Sequence, residues 1–414
     1  MEDKNKFDVA IIGGGPAGMM AAIFAAKKDK KVILIEKNNT LGKKLLLTGD
    51  GRCNITNENL SKKEVIKNLG KNWDFLLSGL SVFGINETKD FFESNGLKLT
   101  TKENGKMFPF SEKSKDVLNL LIKELNKYNV KILLNAQVSE VEFKGKSISK
   151  IILKNKKEII ASNYILTTGG KSYPTTGSTG DGFVWIKSIG HEIKELRPGL
   201  SPFQIKENWV KELSGLSLSN IGLKVISGNK TIKKWKGDIL FAHFGITGPL
   251  ILDQSREISK LMEKNKIVLS IDLFPEKSLE FFSEDIAQLI EKNRNRNVEK
   301  IVSLIIPNRL AQQVISFSKI DCNKKGNNIS KKERVKLASI LKNITLHPTG
   351  TLGFDRAMIT SGGISLKEID SKTMKSKLTN NLFFAGEIID LDGPCGGYNL
   401  QVCWTTGYLA GTNA

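Results

Sequence analysis

Gly13-x-Gly15-x-x-Gly18 stands between an apolar run, FDVAII over 7–12, and a stretch of small apolar residues over 16–28. Between a strand and a helix, the first glycine permits the tight turn, the second admits a pyrophosphate against the backbone, and the third lets the helix pack on the strand. The helix start carries Pro16 and Ala17. It offers an anion free N–H groups and a partial positive charge. A second apolar run, KVILIE over 31–36, ends in Glu36. A carboxylate there can accept hydrogen bonds from ribose hydroxyls and would repel a 2′-phosphate. Strand, glycines, helix, strand and acid in that order, within about 30 residues, mark a dinucleotide site far better than the glycines alone.

The first turn does not separate NAD from FAD, but the other end of the chain does. LFFAGE over 382–387 reads as a hydrophobic strand ending in Gly386 and the acid Glu387. GPCGGYN over 393–399 then leads into small residues (Thr406, Gly407, Gly411). A helix is expected to start near Gly396 and Gly397, with Tyr398 and Asn399 in its first turn. That N-terminus, set beside a flavin pyrimidine edge, would favour the anionic reduced ring. Two sites far apart in sequence, both suited to one elongated cofactor, favour FAD.

LGKKLLLTGDGRCNITN over 41–57 follows the acid-ended strand. Its Lys43, Lys44 and Arg52 can neutralise phosphate or negative charge on a reduced flavin. Thr48 and Asn54 can hydrogen-bond ring edges. Cys53 and Cys395 lie in loops expected to face the flavin. A thiol relay is conceivable there, although free cysteine is commonly a small buried residue. Cys322 and Cys403 read as structural. Arg52, His243 and Tyr398 are the candidate catalytic groups. His243 either donates a proton near the substrate or is a satisfied structural histidine. His191 and Asp181 read as helix-capping residues. No second GxGxxG unit follows, so no dedicated NAD(P) domain is expected: either a reduced nicotinamide binds transiently over the flavin, or another donor reduces it, or oxygen reoxidises it. No metal site is expected, because the four cysteines show no paired spacing.

The elements that must position these groups read as an α/β domain interrupted by an insertion. An amphipathic helix is expected over 111–127, and the three runs that follow, beginning with KILLNAQV, suggest a meander. The expected divisions are 1–195, the first part of the cofactor domain; 196–275, a β-rich insert of short strands; 276–335, a helical insert; 336–351, a return strand; and 352–414, the second part of the cofactor domain. The chain of 414 residues carries 63 basic and 43 acidic side chains, a formal charge of +20. Only 8 of the basic residues are Arg, and the Lys are spread over the whole length. That pattern reads as compositional drift, since a phosphate-reading face uses more Arg. Nucleic acid is therefore not the expected partner; a small molecule is. No run of about 18 apolar residues occurs, so no membrane-spanning helix is expected. With no targeting signal and few cysteines, the cytoplasm is the expected location.

IIGGGPAGMMAA (11–22), LGKKLLLTGDGRCNITN (41–57), TTGGKSYPTTGSTGDG (167–182), ILFAHFGITGP (239–249), ITSGGISLKEID (359–370) and LFFAGEIIDLDGPCGGYNLQVCWTTGYLAG (382–411) together resemble the BaiN-like family of bacterial NAD(P)/FAD-dependent oxidoreductases, also called the aminoacetone oxidase family. The resemblance spans nearly the whole chain, and its GRCN and GGYNLQ segments are specific. It implies a two-part Rossmann-like FAD domain with a β-rich, barrel-like insert that carries a small helical domain. It implies FAD contacts at Gly13 to Gly18, Glu36 and Lys37, and along the 43–54 loop with Gly51, Cys53 and Asn54. It adds the Val138 backbone near adenine, Thr168 and Gly169, Gly386 and Glu387, and the 396–401 helix start with Leu400. The activity it implies is hydride transfer through the flavin, with NAD(P)H-linked reduction of an enone-like C=C as the leading reading. An amine oxidase of the aminoacetone type, making hydrogen peroxide, is one alternative. An RNA-associated or sensor flavoprotein is another.

Overall fold

Apolar runs decide the centre of the fold. In the computed structural model, which describes residues 6–61, 69–102 and 104–414, the first run is β1 (Lys6–Ile12). A glycine turn leads to α1 (Pro16–Ala26), and β2 (Val32–Ile35) follows with all four residues buried, as a parallel strand covered on both faces requires. Next come β3 (Thr56–Asn57), α2 (Ile85–Ser94), β4 (Leu99–Thr101) and β5 (Lys106–Pro109), with β3 and β4 flanking β5 in a small antiparallel sheet. The amphipathic helix is α3 (Ser114–Lys127), which buries Val117, Leu118, Leu121 and Leu125. The chain continues through β6 (Lys131–Leu133), β7 (Val138–Lys144), β8 (Ser147–Leu153), β9 (Glu158–Leu166), α4 (Asp181–Ser188) and β10 (Ile193–Gly199).

A second unit spans Leu200–Gly353, and the remainder of the chain forms the first. The second unit holds β11 (Phe203–Ile205), β12 (Ser217–Ser227), β13 (Lys230–Ala242), β14 (Gly245–Thr247), α5 (Pro249–Lys264) and β15 (Ile267–Asp272). It closes with α6 (Leu279–Lys292), α7 (Val298–Val302), α8 (Asn308–Ser318), α9 (Lys331–Leu341), β16 (Ile344–Leu346) and β17 (Pro348–Thr351). Its antiparallel sheet has the order β16-β15-β12-β13-β14-β11-β17. The expectation of short strands alone over 196–275 needs correction. β12 and β13 are long, and α5 was missed: Pro249 opens a helix whose Leu250, Ile251, Ser255 and Ile258 are buried.

The first unit resumes with β18 (Ile359–Ile364), β19 (Leu382–Phe384) and α10 (Tyr398–Asn413). Its main sheet runs β6-β2-β1-β9-β8-β7, with β19 also on β9. The pairings of β1 with β2 and β9, of β2 with β6, and of β9 with β19 are parallel. KILLNAQV is therefore not part of the meander. Asn135, at φ 53°, breaks the run. β6 joins the parallel end beside β2, while β7 pairs with β8 at the other end. Arg197-Pro198-Gly199 ends β10, which pairs with β18. The last helix lies directly on the first. A Cβ on Gly407 would come 2.6 Å from the Ala17 carbonyl oxygen, and one on Gly411 would come 2.3 Å from that of Ala21. Only glycine lets the backbones approach so closely, and this contact joins the two ends of the chain. No described helix is long and apolar enough to cross a membrane.

His191 is not a simple cap. It is buried, with Nδ1 2.8 Å from Glu368 Oε2, Nε2 2.9 Å from Ser376 Oγ, and its ring edge-on to Phe384. The Ser376 oxygen already accepts the N–H groups of Leu378 and Thr379. Its proton therefore points to Nε2, which leaves the histidine neutral with its proton on Nδ1 toward Glu368. Burial pushes its pKa below the usual value, outweighing the pull of Glu368. The unfolded chain thus binds the proton first as pH falls. The stabilisation is fully present above the ordinary histidine pKa, about 6.5, and is lost as pH falls from there through the lower folded value. Denaturant unfolding at pH 7.5 and 5.5 should show this loss in the parent and a smaller one in His191→Gln. Equal losses would contradict the assignment.

Candidate functional site

A cleft of about 1280 Å³, counting its open mouth, lies in the first unit. Its floor is the turn after β1, from Gly13 to Ala17, and it runs past Glu36 to Asn38, Gly42 to Leu45, Thr48, Val138 and Thr167 to Gly169. Gly386, Glu387, Asn399, Leu400 and Cys403 of the C-terminal segment complete the lining. Both termini therefore build one cavity, at the carboxyl ends of parallel strands where α/β sheets bind ligands.

The three glycines have separate tasks. Gly13 has φ +113°, and a Cβ there would lie 2.4 Å from the Thr167 carbonyl oxygen. A Cβ on Gly18 would sit 1.9 Å from the Gly13 oxygen, so Gly18 packs behind the turn and does not line the cleft. A Cβ on Gly15 would meet nothing within 4 Å. That empty space belongs to the cleft, beside the N-terminus of α1, where an anion is favoured.

Glu36 is buried and fixed from two sides. Its Oε2 accepts the Gly14 N–H at 2.7 Å, and its Oε1 accepts the Asn38 N–H at 2.8 Å and Nδ2 at 2.7 Å. A carboxylate has about four acceptor sites, so capacity remains for a ribose hydroxyl. Lys43 Nζ supports Asn38 Oδ1 at 3.3 Å. Lys37 pairs with Asp181 at 2.9 Å. Asp181 is the first residue of α4 and not its cap, which is Gly180. Burial pushes the Asp181 carboxyl up, but the bonds from Lys37 and Thr179 outweigh it and hold the pKa below its usual value.

A second polar cluster joins distant segments. Lys44 Nζ lies 2.6 Å from Glu387 Oε2 and 2.6 Å from Ser172 Oγ. Glu387 Oε1 accepts the Ser172 hydroxyl at 2.7 Å and the Thr360 N–H at 2.8 Å. Lys44 and Glu387 were expected from sequence, whereas Asn38, Ser172 and Thr360 were missed. Ser172 and Thr360 lie inside recognisable segments, but nothing in their spacing signals a partner in another segment.

Arg52, Cys53, Cys395, Gly396, Gly397, Tyr398 and His243 lie outside the lining. Arg52 is exposed, donates Nε–H to the Gly49 carbonyl at 3.1 Å, and lies over the Phe108 ring at 5.3 Å. Cys53 is fully buried, and burial pushes its thiol up to about 12, against the pull of the Thr48 hydroxyl. A thiol held protonated is a poor nucleophile, which argues against a relay. Cys395 is half-buried. Cys322 is exposed, and Cys403, half-buried, lines the cleft. Gly397 caps α10 at φ +98°, and the Gly396 carbonyl accepts from Asn57 Nδ2 at 2.9 Å. Tyr398 stands edge-on to Trp73. The Asn399 side chain is tied to the Gly393 N–H and carbonyl. His243 belongs to the second unit, between β13 and β14, with its ring against Phe244.

The residues fit a flavin dinucleotide. Asn54 Oδ1 and Thr168 Oγ1 are buried without a hydrogen-bond partner. An orphan acceptor costs free energy that a ligand donor would recover. Thr168 lines the cleft, and its hydroxyl suits a phosphate or ribityl oxygen, whereas Asn54 lies outside the lining.

Fold and cleft define an FAD-dependent oxidoreductase of the Rossmann class. The chain belongs to the HI0933-like protein Rossmann domain family, which matches residues 7–413. It is 31% identical over 409 residues to the 3-dehydro-bile acid delta(4,6)-reductase of Clostridium scindens, covering 98% of each chain. It is also 31% identical over 402 residues to the ribosomal RNA dihydrouridine synthase of Haemophilus influenzae, covering 96% of each. The fold is shared with the 3-ketosteroid delta1-dehydrogenase of Sterolibacterium denitrificans, at TM-score 0.53 and 12% identity over 99% of both chains.

Proposed function

We propose that the chain reduces a carbon–carbon double bond conjugated to a carbonyl, with NAD(P)H as the source of reducing equivalents. The full-length similarity to two enzymes whose activities share this bond change carries the reading. A delta(4,6)-reductase of a 3-dehydro-bile acid and a dihydrouridine synthase each saturate a C=C conjugated with a C=O. A bound flavin supplies the two-electron carrier for such a transfer. In this reading the carboxylate of Glu36 holds the adenosine ribose, and the N–H groups at the start of α1 hold the pyrophosphate. Lys44 and Glu387 hold each other in place at the wall of the cleft. Tyr398, in the first turn of α10 beside cleft-lining Asn399, is the candidate donor of the proton that completes the saturation.

Among such double bonds, the C5=C6 bond of a uridine in RNA is favoured. The formal charge of +20 has a use on a polyanion that it lacks on a single steroid. The dispersed lysines, which alone read as drift, gain weight beside a relative that acts on ribosomal RNA.

Adding NADPH or NADH to the holoenzyme without air should bleach the flavin. A uridine-rich RNA or a steroid enone should then restore its colour. Bleaching by neither nucleotide, or recolouring by oxygen alone with both acceptors inert, would reject the reading.

A further inference from the structure

A shallow groove lies on the first unit between the end of α2 and the outer face of α3, away from the cleft lining. Phe110 forms one wall and is 65% exposed. Lys98 Nζ lies over that ring, 4.8 Å from its centroid. Lys123 stands on α3 across the groove. Among the described residues, neither lysine has a carboxylate partner. Asn95 and Asn119 add polar edges. Asn95 Nδ2 donates to the Phe91 carbonyl at 2.7 Å, which leaves its side-chain oxygen as an acceptor. The groove has one acid, Asp116, and its Oδ2 already accepts the Ser111 hydroxyl at 2.6 Å.

An accessible aromatic face, two cations and amide edges in one open groove match the needs of an unpaired base and its flanking phosphates. We propose that this groove binds a single-stranded segment of RNA, with a base stacked on Phe110 and phosphates at Lys98 and Lys123. The proposal rests on the RNA reading of the function made above. The groove also adjoins the cofactor loop. Phe110 follows β5, whose Phe108 lies under Arg52, and the Ser114 N–H at the start of α3 donates to the Gly51 carbonyl at 2.7 Å. A strand held there would lie beside the loop over 43–54. A nicotinamide dinucleotide fits less well, because the groove has no glycine-rich helix N-terminus for a pyrophosphate.

The test is fluorescence anisotropy of a labelled twelve-nucleotide oligouridylate with the FAD-loaded enzyme and two variants, at several salt concentrations. Phe110→Ala removes an exposed side chain without changing charge and should weaken binding about tenfold or more. Lys98→Gln/Lys123→Gln should flatten the salt dependence, lowering the slope of log affinity against log salt by about 1.4 for two phosphates on a single strand. Parent affinity and slope in both variants would overturn the proposal. So would a Phe110→Ala enzyme that binds RNA normally but needs more NADPH for bleaching, which would make the groove a dinucleotide site. Phe110-dependent RNA binding by an enzyme that reduces no uridine would uphold the groove and reject uridine as the substrate.

Discussion

Gly15→Ala should fold with parent stability and lose its flavin. Gly15 has φ −80°, which alanine adopts readily, and its added Cβ would touch no protein atom within 4 Å. The methyl would instead occupy the space where a pyrophosphate must approach the backbone. The expected loss in FAD affinity is at least 100-fold, about 2.7 kcal/mol, with a melting temperature for the apoprotein matching that of the parent apoprotein. Gly18→Ala, three residues on, should behave differently. Its Cβ would sit 1.9 Å from the Gly13 oxygen and 2.6 Å from Thr167 Oγ1. The turn must open, so stability should fall by about 1–3 kcal/mol, the usual range for overpacking, and flavin should be lost with it. Visible absorbance and thermal unfolding of the two variants separate these effects. A yellow Gly15→Ala protein would contradict the placement of the pyrophosphate.

Glu387→Ala should be the most damaging change in the second polar cluster. It leaves the Lys44 ammonium without its carboxylate in a site where both side chains are only about one-fifth exposed, at 21% and 19%. It also removes the acceptor for Ser172 Oγ and the Thr360 N–H. Breaking a fully buried pair costs about 3–5 kcal/mol. Partial exposure lowers the expected loss here to about 2 kcal/mol. The double variant Lys44→Met/Glu387→Ala should recover part of that stability, because the stranded charge is gone, yet should still retain FAD poorly. Denaturant unfolding with flavin quantitation checks both. A double variant less stable than Glu387→Ala would show that the pair does not act as a charge couple.

The parts of the site that were legible in the sequence are local. β1, the glycine turn, α1, β2 and Glu36 lie within 31 residues, from Lys6 to Glu36, and each announces itself by apolar runs and punctuation. α10 was legible for the same reason, since Gly396-Gly397 precedes a run of small residues. The cluster around Lys44 was only half legible, because its lysine and acid are 343 positions apart and Ser172 and Thr360 come from two further segments. No period or spacing encodes such a meeting; the parallel pairing of β19 with β9 brings the segments of Glu387 and Ser172 side by side. β6 was misplaced because KILLNAQV carries strand-forming residues on both sides of Asn135, and only the left-handed turn there divides it. Arg52 shows the converse. Its loop was recognisable, but the guanidinium lies over Phe108 and not in the cleft lining.

The extended grip on a dinucleotide is tested most directly by titrating apoprotein with FAD, FMN and riboflavin and comparing dissociation constants. FAD should bind at least 100-fold more tightly than FMN, because in the proposed placement Glu36 and the turn before α1 hold the half of the cofactor that FMN lacks. Equal affinity for FMN and FAD would contradict that grip, and with it the roles of Glu36 and the N-terminal glycines in holding the adenosine and pyrophosphate.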